Sequence, residues 1–340
     1  GTLRFMTDSR ATVFVGLSGG VDSAVSAALL KRAGYRVIGA FIKIWQPEFT
    51  ECTWREDRLD AMRVCTALEI PFREIDLSDE YKREVVRDML NAYASGVTPN
   101  PDILCNRSIK FGHFASWAFS EGADMIATGH YAQIREGAQG HELWRGADLE
   151  KDQSYFLCRL TERDLARTLF PIGGMQKSEV RALAHRFDLP VAAKRDSQGL
   201  CFIGHVSMKE FLARYIQLQP GAVVNEEGVT IAAHEGAALY TIGERHGFGA
   251  AGNVPHFVTR IDIARNIVHV SRSRDDAATT DAVLDAMQFV HEAPAVPFSC
   301  MAQARYHEPP HETRISVGNG SYRAHFSTPH IASQIGRAHV

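Results

Sequence analysis

The sequence predicts an α/β fold: a doubly wound parallel sheet, then a small mixed central domain and a C-terminal antiparallel β-barrel. Three observations lead there. Apolar, β-branched runs alternate with segments of 3.6-residue periodicity as far as Gly129. A glycine pair within SGGVDS, residues 18–23, sits where the first run meets the first helix. After Pro220 the periodicity falls to two, and GNG separates TRISV from SYRAHF as a hairpin turn would.

Taken in order, residues 11–17, ATVFVGL, form the first strand. Val21, Ala24, Val25, Ala28 and Leu29 then repeat on one helical face, and Lys31, Arg32 and Gly34 mark the end of that helix. RVIGAFIKI is the second strand, followed by a helix near 54–68, a strand at 72–77 and a helix near 79–95. VTPNPDILCNRSIKFG, residues 97–112, reads as a proline-bracketed loop running into a helix at 108–121, with a strand at 124–128 after it. LTERDLARTL and SEVRALAHRF read as helices of the central domain, and FVTRIDI, NIVHVS, TRISV and SYRAHF as barrel strands. The expected domains are 1–159, 160–218 and 219–340. No internal repeat or low-complexity tract appears.

The 340 residues exceed one ordinary domain, while 45% hydrophobic and 23% charged residues are ordinary globular values. No run approaches the roughly 18 apolar residues of a membrane span. The N-terminal GTLRFMTDSR has no apolar stretch and no small-residue cleavage site, so a cytoplasmic protein is expected. With 37 basic and 40 acidic residues the net charge is −3, and no global field draws nucleic acid. A local basic stretch exists: Arg159, Arg163, Arg167, Lys177, Arg181, Arg186, Lys194 and Arg195 outnumber the acids among them, although a solvated helical face would read the same way. The six cysteines, at 52, 65, 105, 158, 201 and 300, form no CxxC pair and no zinc-spaced cluster, so no metal ligand set is assigned. In a reducing compartment a cysteine that matters does so through reactivity; the others are small buried residues.

Parallel sheets bind ligands beyond the carboxyl ends of their strands, which singles out Ser18, Lys43, Ser78 and Gly129. SGGVDS offers two glycines and two hydroxyls at a helix start, where unpaired N–H groups and the positive dipole end favour an anion such as phosphate. The Walker pattern is absent, since no lysine follows the glycines. Asp22, in the first helical turn, would repel a bare polyphosphate unless it binds an accompanying Mg²⁺ or orients the loop. The alternative is that Gly19 and Gly20 merely make a tight turn.

Cys105 lies just ahead of the predicted helix at 108–121, whose Phe111, Phe114, Ala115, Ala118 and Phe119 keep helical periodicity, so the helix dipole should favour its thiolate. Asp102, on a loop stiffened by Pro99 and Pro101, is placed to move a proton. Against this stands an inert, buried Cys105 with Asp102 as a helix cap. His130, at a strand end, is by type more often a satisfied structural residue than a catalyst.

SGGVDS resembles the phosphate loop of the N-type ATP pyrophosphatases, whose adenine nucleotide α-hydrolase-like fold activates a carbonyl oxygen by adenylation. Four further segments resemble one branch, the tRNA-uridine 2-sulfurtransferases or tRNA-specific 2-thiouridylases: TPNPDILCNRSIKFG at 98–112, ATGHYA at 127–132, KDQSYFL at 151–157 and DSQGLCFIG at 196–204. The resemblance runs from residue 12 to about 328. It implies ATP, with Mg²⁺, at Gly16, Leu17, Ser18, Gly19, Gly20, Val21, Asp22, Ser23, Ile42 and Gly129. It implies tRNA contact at Asn100, Pro101, Asp102, His130, Lys151, Asp152, Gln153, Arg305 and Tyr306, and catalysis by Asp102, Cys105 and Cys201. Cys201 would accept sulfur as a persulfide from a sulfur-carrier protein or cysteine desulfurase, and Cys105 would complete the transfer. The implied product is 2-thiouridine at the wobble position of the lysine, glutamate and glutamine tRNAs, made by a monomer that touches no membrane.

Two departures stand out. Phe41-Ile42-Lys43 replaces the family's usual FMK. After FSTP the chain reads HIASQIGRAHV in place of a proline-glycine-glutamine segment, so an incomplete barrel and a non-native tail over residues 335–340 are expected. The rival readings are another adenylating enzyme, of the 4-thiouridine or amidating type, and a catalytically inactive RNA-binding relative. An iron–sulfur cluster on Cys105, Cys201 and a third ligand is a weaker alternative.

Overall fold

A computed structural model describes residues 11–50, 54–195, 206–248, 255–284 and 287–331. Cys201 and the DSQGLCFIG motif around it, and the tail IGRAHV, lie outside the described residues. The chain divides into two compact units, the described parts of Gly1–Val85 with Asp102–His205, and those of Val86–Pro101 with Val206–Val340. Described residues 160–195 group with the parallel sheet, and residues 86–101 with the C-terminal sheets.

In the first unit β1 (Thr12–Gly16) leads to α1 (Val21–Arg32), β2 (Arg36–Lys43), α2 (Trp54–Ala67) and β3 (Phe72–Asp76). A helical run follows, as α3 (Ser78–Tyr81), a π-helical stretch at Lys82–Val86 and α4 (Arg87–Ala94), the last lying in the second unit. A second run comprises α5 (Pro101–Leu104), a π-helix over Cys105–Phe114 and α6 (Ala115–Ser120). Then come β4 (Met125–Ala127), the hairpin β5 (Ala132–Gly137) and β6 (Gly140–Arg145), α7 (Glu162–Leu165), β7 (Thr168–Leu169) and α8 (Lys177–Arg186). The sheet order is β3-β2-β1-β4-β7, and every pair is parallel. Strand order reverses between β1 and β4, and a crevice opens at such a switch point. Val13, Val15, Val25, Ala27 and Leu30 are wholly buried beneath it, as are Val180 and Ala184 of α8.

Two expectations need correcting here. Residues 97–112 are not a loop that precedes a helix at 108. The helix opens at Pro101, whose missing N–H costs nothing in a first turn, so Asp102 stands in that turn and Cys105 one turn further on. The widened turns of the π-helix bring the backbone of Gly112 so close that a Cβ there would stand 3.0 Å from the Arg107 carbonyl oxygen. The segment LTERDLARTL is also not one helix. Thr161 closes a capping box on a single turn, Glu162–Leu165, and Thr168–Leu169 then joins the sheet as its edge strand.

The second unit holds α9 (Met208–Tyr215), β8 (Gly221–Val224), β9 (Thr230–His234), β10 (Arg245–Gly247), β11 (Pro255–Asp262), β12 (Ile267–Ser271), β13 (Thr279–Leu284), β14 (Phe298–Ala302), β15 (His311–Gly318) and β16 (Ser321–His330). These strands form two sheets, β10-β11-β12-β8-β9 and β13-β16-β15-β14, antiparallel except for β8 beside β12. Val223, Val258, Val268 and Val270 fill the core of the first sheet, and Ile315, Ala324, Ala302 and Phe326 that of the second. Among the described residues no helix is long and apolar enough to cross a membrane.

Candidate active site

The turn from β1 into α1 is built around backbone approach. Gly19 has φ +72°, and a Cβ on it would lie 2.5 Å from the Asp57 carbonyl oxygen. Only glycine fits there. Gly20 is the N-cap of α1 and supplies no side-chain cap, so the first turn of a twelve-residue helix keeps N–H groups without a capping oxygen. The Ser23 hydroxyl sits 3.3 Å from that of Ser18, takes a hydrogen bond of 3.2 Å from the Ser18 N–H and donates one of 3.2 Å to the Gly20 carbonyl. Leu17 is buried and its N–H donates to the Ala40 carbonyl of β2, while a Cβ on Gly16 would lie 3.8 Å from Ile42 Cδ1. The loop thus presents exposed Ser18 and uncapped N–H groups, the donor set that a phosphate chain fits.

Across the switch point, Thr128-Gly129-His130 follows β4. A Cβ on Gly129 would stand 2.7 Å from the Ser23 nitrogen, so the segment that follows β4 meets the first turn of α1 backbone to backbone. His130 is buried, and its Nδ1 lies 2.7 Å from Thr128 Oγ1 and its Nε2 3.4 Å from Lys110 Nζ. An ammonium has no lone pair, so Nε2 must accept and Nδ1 must carry the proton that Thr128 Oγ1 receives. Burial and then the Lys110 charge hold His130 well below the ordinary histidine range, so it is neutral. Phe111 and Phe170 wall it in, with ring centroids 6.0 and 5.8 Å away.

Lys110 also acts electrostatically on Asp102. Burial pushes the Asp102 carboxyl above the usual range, and Lys110 opposes part of that rise. A carboxylate made more basic in this way is suited to accepting a proton near neutral pH. Cys105, one turn on, is buried. Of the other described cysteines, Cys65 is an inert packing thiol that burial pushes up to about 11.

The KDQS stretch takes a different role. Asp152 is 5% exposed, and its carboxylate accepts from Arg145 Nε at 2.8 Å, Gly146 N at 2.9 Å, Ser154 N at 3.1 Å and Ser154 Oγ at 3.1 Å. Gln153 Oε1 accepts from Tyr131 N at 3.0 Å, and Gln153 N donates to Tyr131 O. These two side chains fasten the loop to the strand end, and each carboxylate oxygen of Asp152 accepts two hydrogen bonds from within the protein. Lys151 is half-buried in the turn before them. In the second unit, Arg305 donates to the Ile242 carbonyl at 2.7 Å, beside Tyr306 in the β14–β15 connection. Asn100 and Pro101 lead directly into the helix that bears Asp102.

Sequence reasoning missed four contributors. Lys110 and Thr128 fix the state of His130, and Lys177, from α8, binds Asp22 with Nζ 2.7 and 2.8 Å from its two oxygens. Tyr131 OH donates to the same carboxylate at 2.9 Å. Periodicity marks none of them: Lys110, Tyr131 and Lys177 act on partners 20, 109 and 155 positions away, and Thr128 acts on its near neighbour His130 through a hydroxyl that no period records.

A parallel sheet with an uncapped, glycine-lined helix start at its switch point is the architecture of nucleotide-handling α/β domains. Residues 11–205 match the family model described as the tRNA methyl transferase HUP domain, and residues 209–272 the tRNA methyl transferase PRC-barrel domain. The tRNA-specific 2-thiouridylases MnmA of two Streptococcus pyogenes strains, serotypes M3 and M1, are each 42% identical, covering 98% of this chain and 93% of the relative. The chain belongs to the tRNA-specific 2-thiouridylase family. Among solved structures, a 4-thiouridine synthetase in complex with RNA and bound ATP aligns at 18% identity and TM-score 0.39, over 60% of this chain and 50% of that one. NMN synthetase from Francisella tularensis aligns at 18% and 0.35, over 56% and 67%. Both scores are too low to carry an argument.

Proposed function

We propose that this protein is an ATP-dependent sulfurtransferase that converts the wobble uridine of tRNA to 2-thiouridine. The observation that carries the reading is the meeting of the uncapped α1 start with Gly129 at the strand end that continues into His130, which Lys110 ties electrostatically to Asp102. That chain of contacts supports reading Asp102 as the proton acceptor for chemistry at the phosphate loop. Family membership supplies the substrate class.

The uncapped N–H groups, Ser18 and the Cβ-free surfaces of Gly19 and Gly129 fit a phosphate chain. Among the described residues no group of three or more His, Cys, Asp or Glu is suited to a metal ion, so Mg²⁺ would rest on Asp22 and on phosphate oxygens. In the first step the uracil O2 attacks the α-phosphorus of ATP, the α–β bridging P–O bond breaks and pyrophosphate leaves. Asp102 takes the N3 proton, and uridine O2-adenylate remains. A persulfide on Cys201 then adds its terminal sulfur to C2 and expels AMP. Cys105 thiolate attacks Cys201 Sγ, which breaks the S–S bond, leaves sulfur on the base and joins the two cysteines as a disulfide for an external reductant. Alternatively Cys105 first releases hydrosulfide, which attacks C2 with the same electron count. The tRNA contacts proposed are Asn100, Pro101, His130 and Lys151, with Arg305 and Tyr306 in the second unit. The lysine, glutamate and glutamine tRNAs are the proposed substrates, with a persulfide carrier as partner and a monomer as the working form.

Incubation with tRNA, ATP and a persulfide donor, followed by nucleoside mass analysis, tests the reading. One AMP and one pyrophosphate should appear per 2-thiouridine. Cys201→Ser should still release pyrophosphate but form no thiouridine, and Cys105→Ser should retain a persulfide on Cys201. Thiouridine formed at the wild-type rate by Cys201→Ser would exclude the two-cysteine route; no tRNA-dependent pyrophosphate release from wild type would exclude the function.

A further inference from the structure

The hairpin of β5 and β6 has one face that neither the phosphate loop nor the helix of Asp102 uses. Ala132 is wholly buried, and Ile134 and Leu143 partly so, on the closed face. Gln133, Arg135 and Gly137 of β5 share the other with Gly140, Glu142 and Trp144 of β6. On that open face Trp144 is 44% exposed, and the Arg135 guanidinium carbon lies 4.0 Å from the centroid of its ring. The ring is also held by its edge. Its Nε1 donates to Glu142 Oε2 at 2.8 Å, and a Cβ on Gly137 would stand 2.5 Å from Glu142 Cδ, so glycine leaves the room in which that carboxylate lies. Arg135 Nη2 donates to Gln133 Oε1 at 3.3 Å, and Gln133 Nε2 to the Arg145 carbonyl at 2.8 Å. Three side chains thus fix the orientation of one indole that stays open to solvent.

Holding the hairpin does not call for this arrangement, since Asp152 already fastens its open end through Arg145 and Gly146. A ring braced on one face and fixed at its edge is organised in advance for a flat partner on what remains open. Among the described residues Arg135 meets no carboxylate, so its charge is left for an anion beside that partner. A flat π system joined to an anion is a nucleotide; a protein offers the two only on separate side chains. The hairpin also leads out of the site. β5 opens at Ala132, directly after His130 and after Tyr131, whose hydroxyl donates to Asp22. Gln133, which faces Trp144 across the hairpin, is three residues from His130, at most about 11 Å of chain. We propose that Trp144, braced by Arg135, stacks an unpaired nucleobase of tRNA adjacent to the target uridine, with Arg135 beside the phosphate of that nucleotide. The proposal rests on the reading of this protein as a tRNA-thiolating enzyme. Every base has a π face, so the platform secures the strand without selecting its sequence.

Filter binding of the full-length protein to an anticodon stem-loop RNA with the wobble uridine, and to two versions in which the nucleotide before or after that uridine is abasic, tests this. Trp144→Ala should weaken the intact stem-loop about 5- to 100-fold, the range for one base stacked on an aromatic ring, and Trp144→Phe less than about 3-fold. One abasic RNA should bind wild type correspondingly more weakly, yet bind Trp144→Ala no worse than the intact RNA does, because ring and base form a single contact. Arg135→Met should weaken binding and make it less dependent on salt, as loss of one phosphate contact does. Trp144→Leu, which keeps apolar bulk without a ring, should lose the same affinity and serves if the alanine variant folds poorly. Wild-type RNA affinity in Trp144→Ala and Trp144→Leu would overturn the proposal; slowed sulfur transfer from a persulfide carrier protein alongside it would give the face to that protein. Abasic RNAs that bind wild type as the intact one does, or that lose as much with Trp144→Ala as with wild type, would overturn it as well. Wild type that binds neither the stem-loop nor whole tRNA would refute instead the reading of the function.

Discussion

Asp152 is matched in the family by a residue implied in RNA contact, but the structure gives its carboxylate an internal role, and the two roles predict different failures. In Asp152→Ala, the N–H groups of Gly146 and Ser154 lose their acceptor inside a loop where Asp152 itself is 5% exposed. A buried donor left unmade costs roughly 1–3 kcal/mol, so two cost about 2–6 kcal/mol. Arg145 adds little, since its side chain is 48% exposed and water replaces the lost partner. The Ser154 hydroxyl can rotate. A net loss of about 3 kcal/mol lowers the melting temperature by roughly 6–12 °C for a unit of this size. Differential scanning calorimetry and filter binding to unmodified tRNA are the assays. Burial works to raise the Asp152 pKa, yet Arg145, Gly146 and Ser154 together hold it below its ordinary value. Its stabilising share is therefore present above the unfolded carboxylate pKa and is lost as pH falls through the lower folded one, so the gap between wild type and variant should close in that window. An unchanged melting temperature with tRNA affinity reduced tenfold would refute this assignment and return the carboxylate to RNA.

Three further outcomes are expected. Gly129→Ala puts a Cβ 2.7 Å from Ser23 N, so the start of α1 must shift; a loss of about 1–3 kcal/mol in urea unfolding, with pyrophosphate release down roughly 100-fold, is expected. Asp102 is raised by burial, so its ionisation opposes folding: that penalty is absent below its unfolded pKa, grows as pH rises and is complete above the folded one. Asp102→Asn should accordingly be the more stable protein at neutral pH, lose that slope in urea titrations between pH 4 and 8, and form no thiouridine. Thr128→Val removes the oxygen that receives the His130 proton, and a cost of about 1–2 kcal/mol in thermal unfolding with tRNA binding weakened should follow; unchanged values for both would show that His130 is held by packing alone.

The sequence by itself determined four of the five strands of the parallel sheet, their order along the chain and the loop at the leading edge, because these are written locally. A 3.6 or 2.0 period, Lys31-Arg32 before Gly34 and two glycines after a β-branched run each act within a few residues of themselves. It also carried the motifs that place Asp102, Cys105 and Asp152 in a family. It did not show that the helix begins at Pro101, since a proline before an apolar stretch serves equally as a loop stiffener or a first helical residue, and the π-helical widening after Leu104 blurs the period. Tertiary structure alone decided the charge states and partners. His130 is neutral because Phe111, Phe170 and Lys110 converge on it, Asp102 is raised because the unit closes over it, and Asp22 meets Lys177 across 155 positions of chain. Desolvation and Coulomb interaction fall off with distance in space and take no account of distance along the chain, so no local pattern records them.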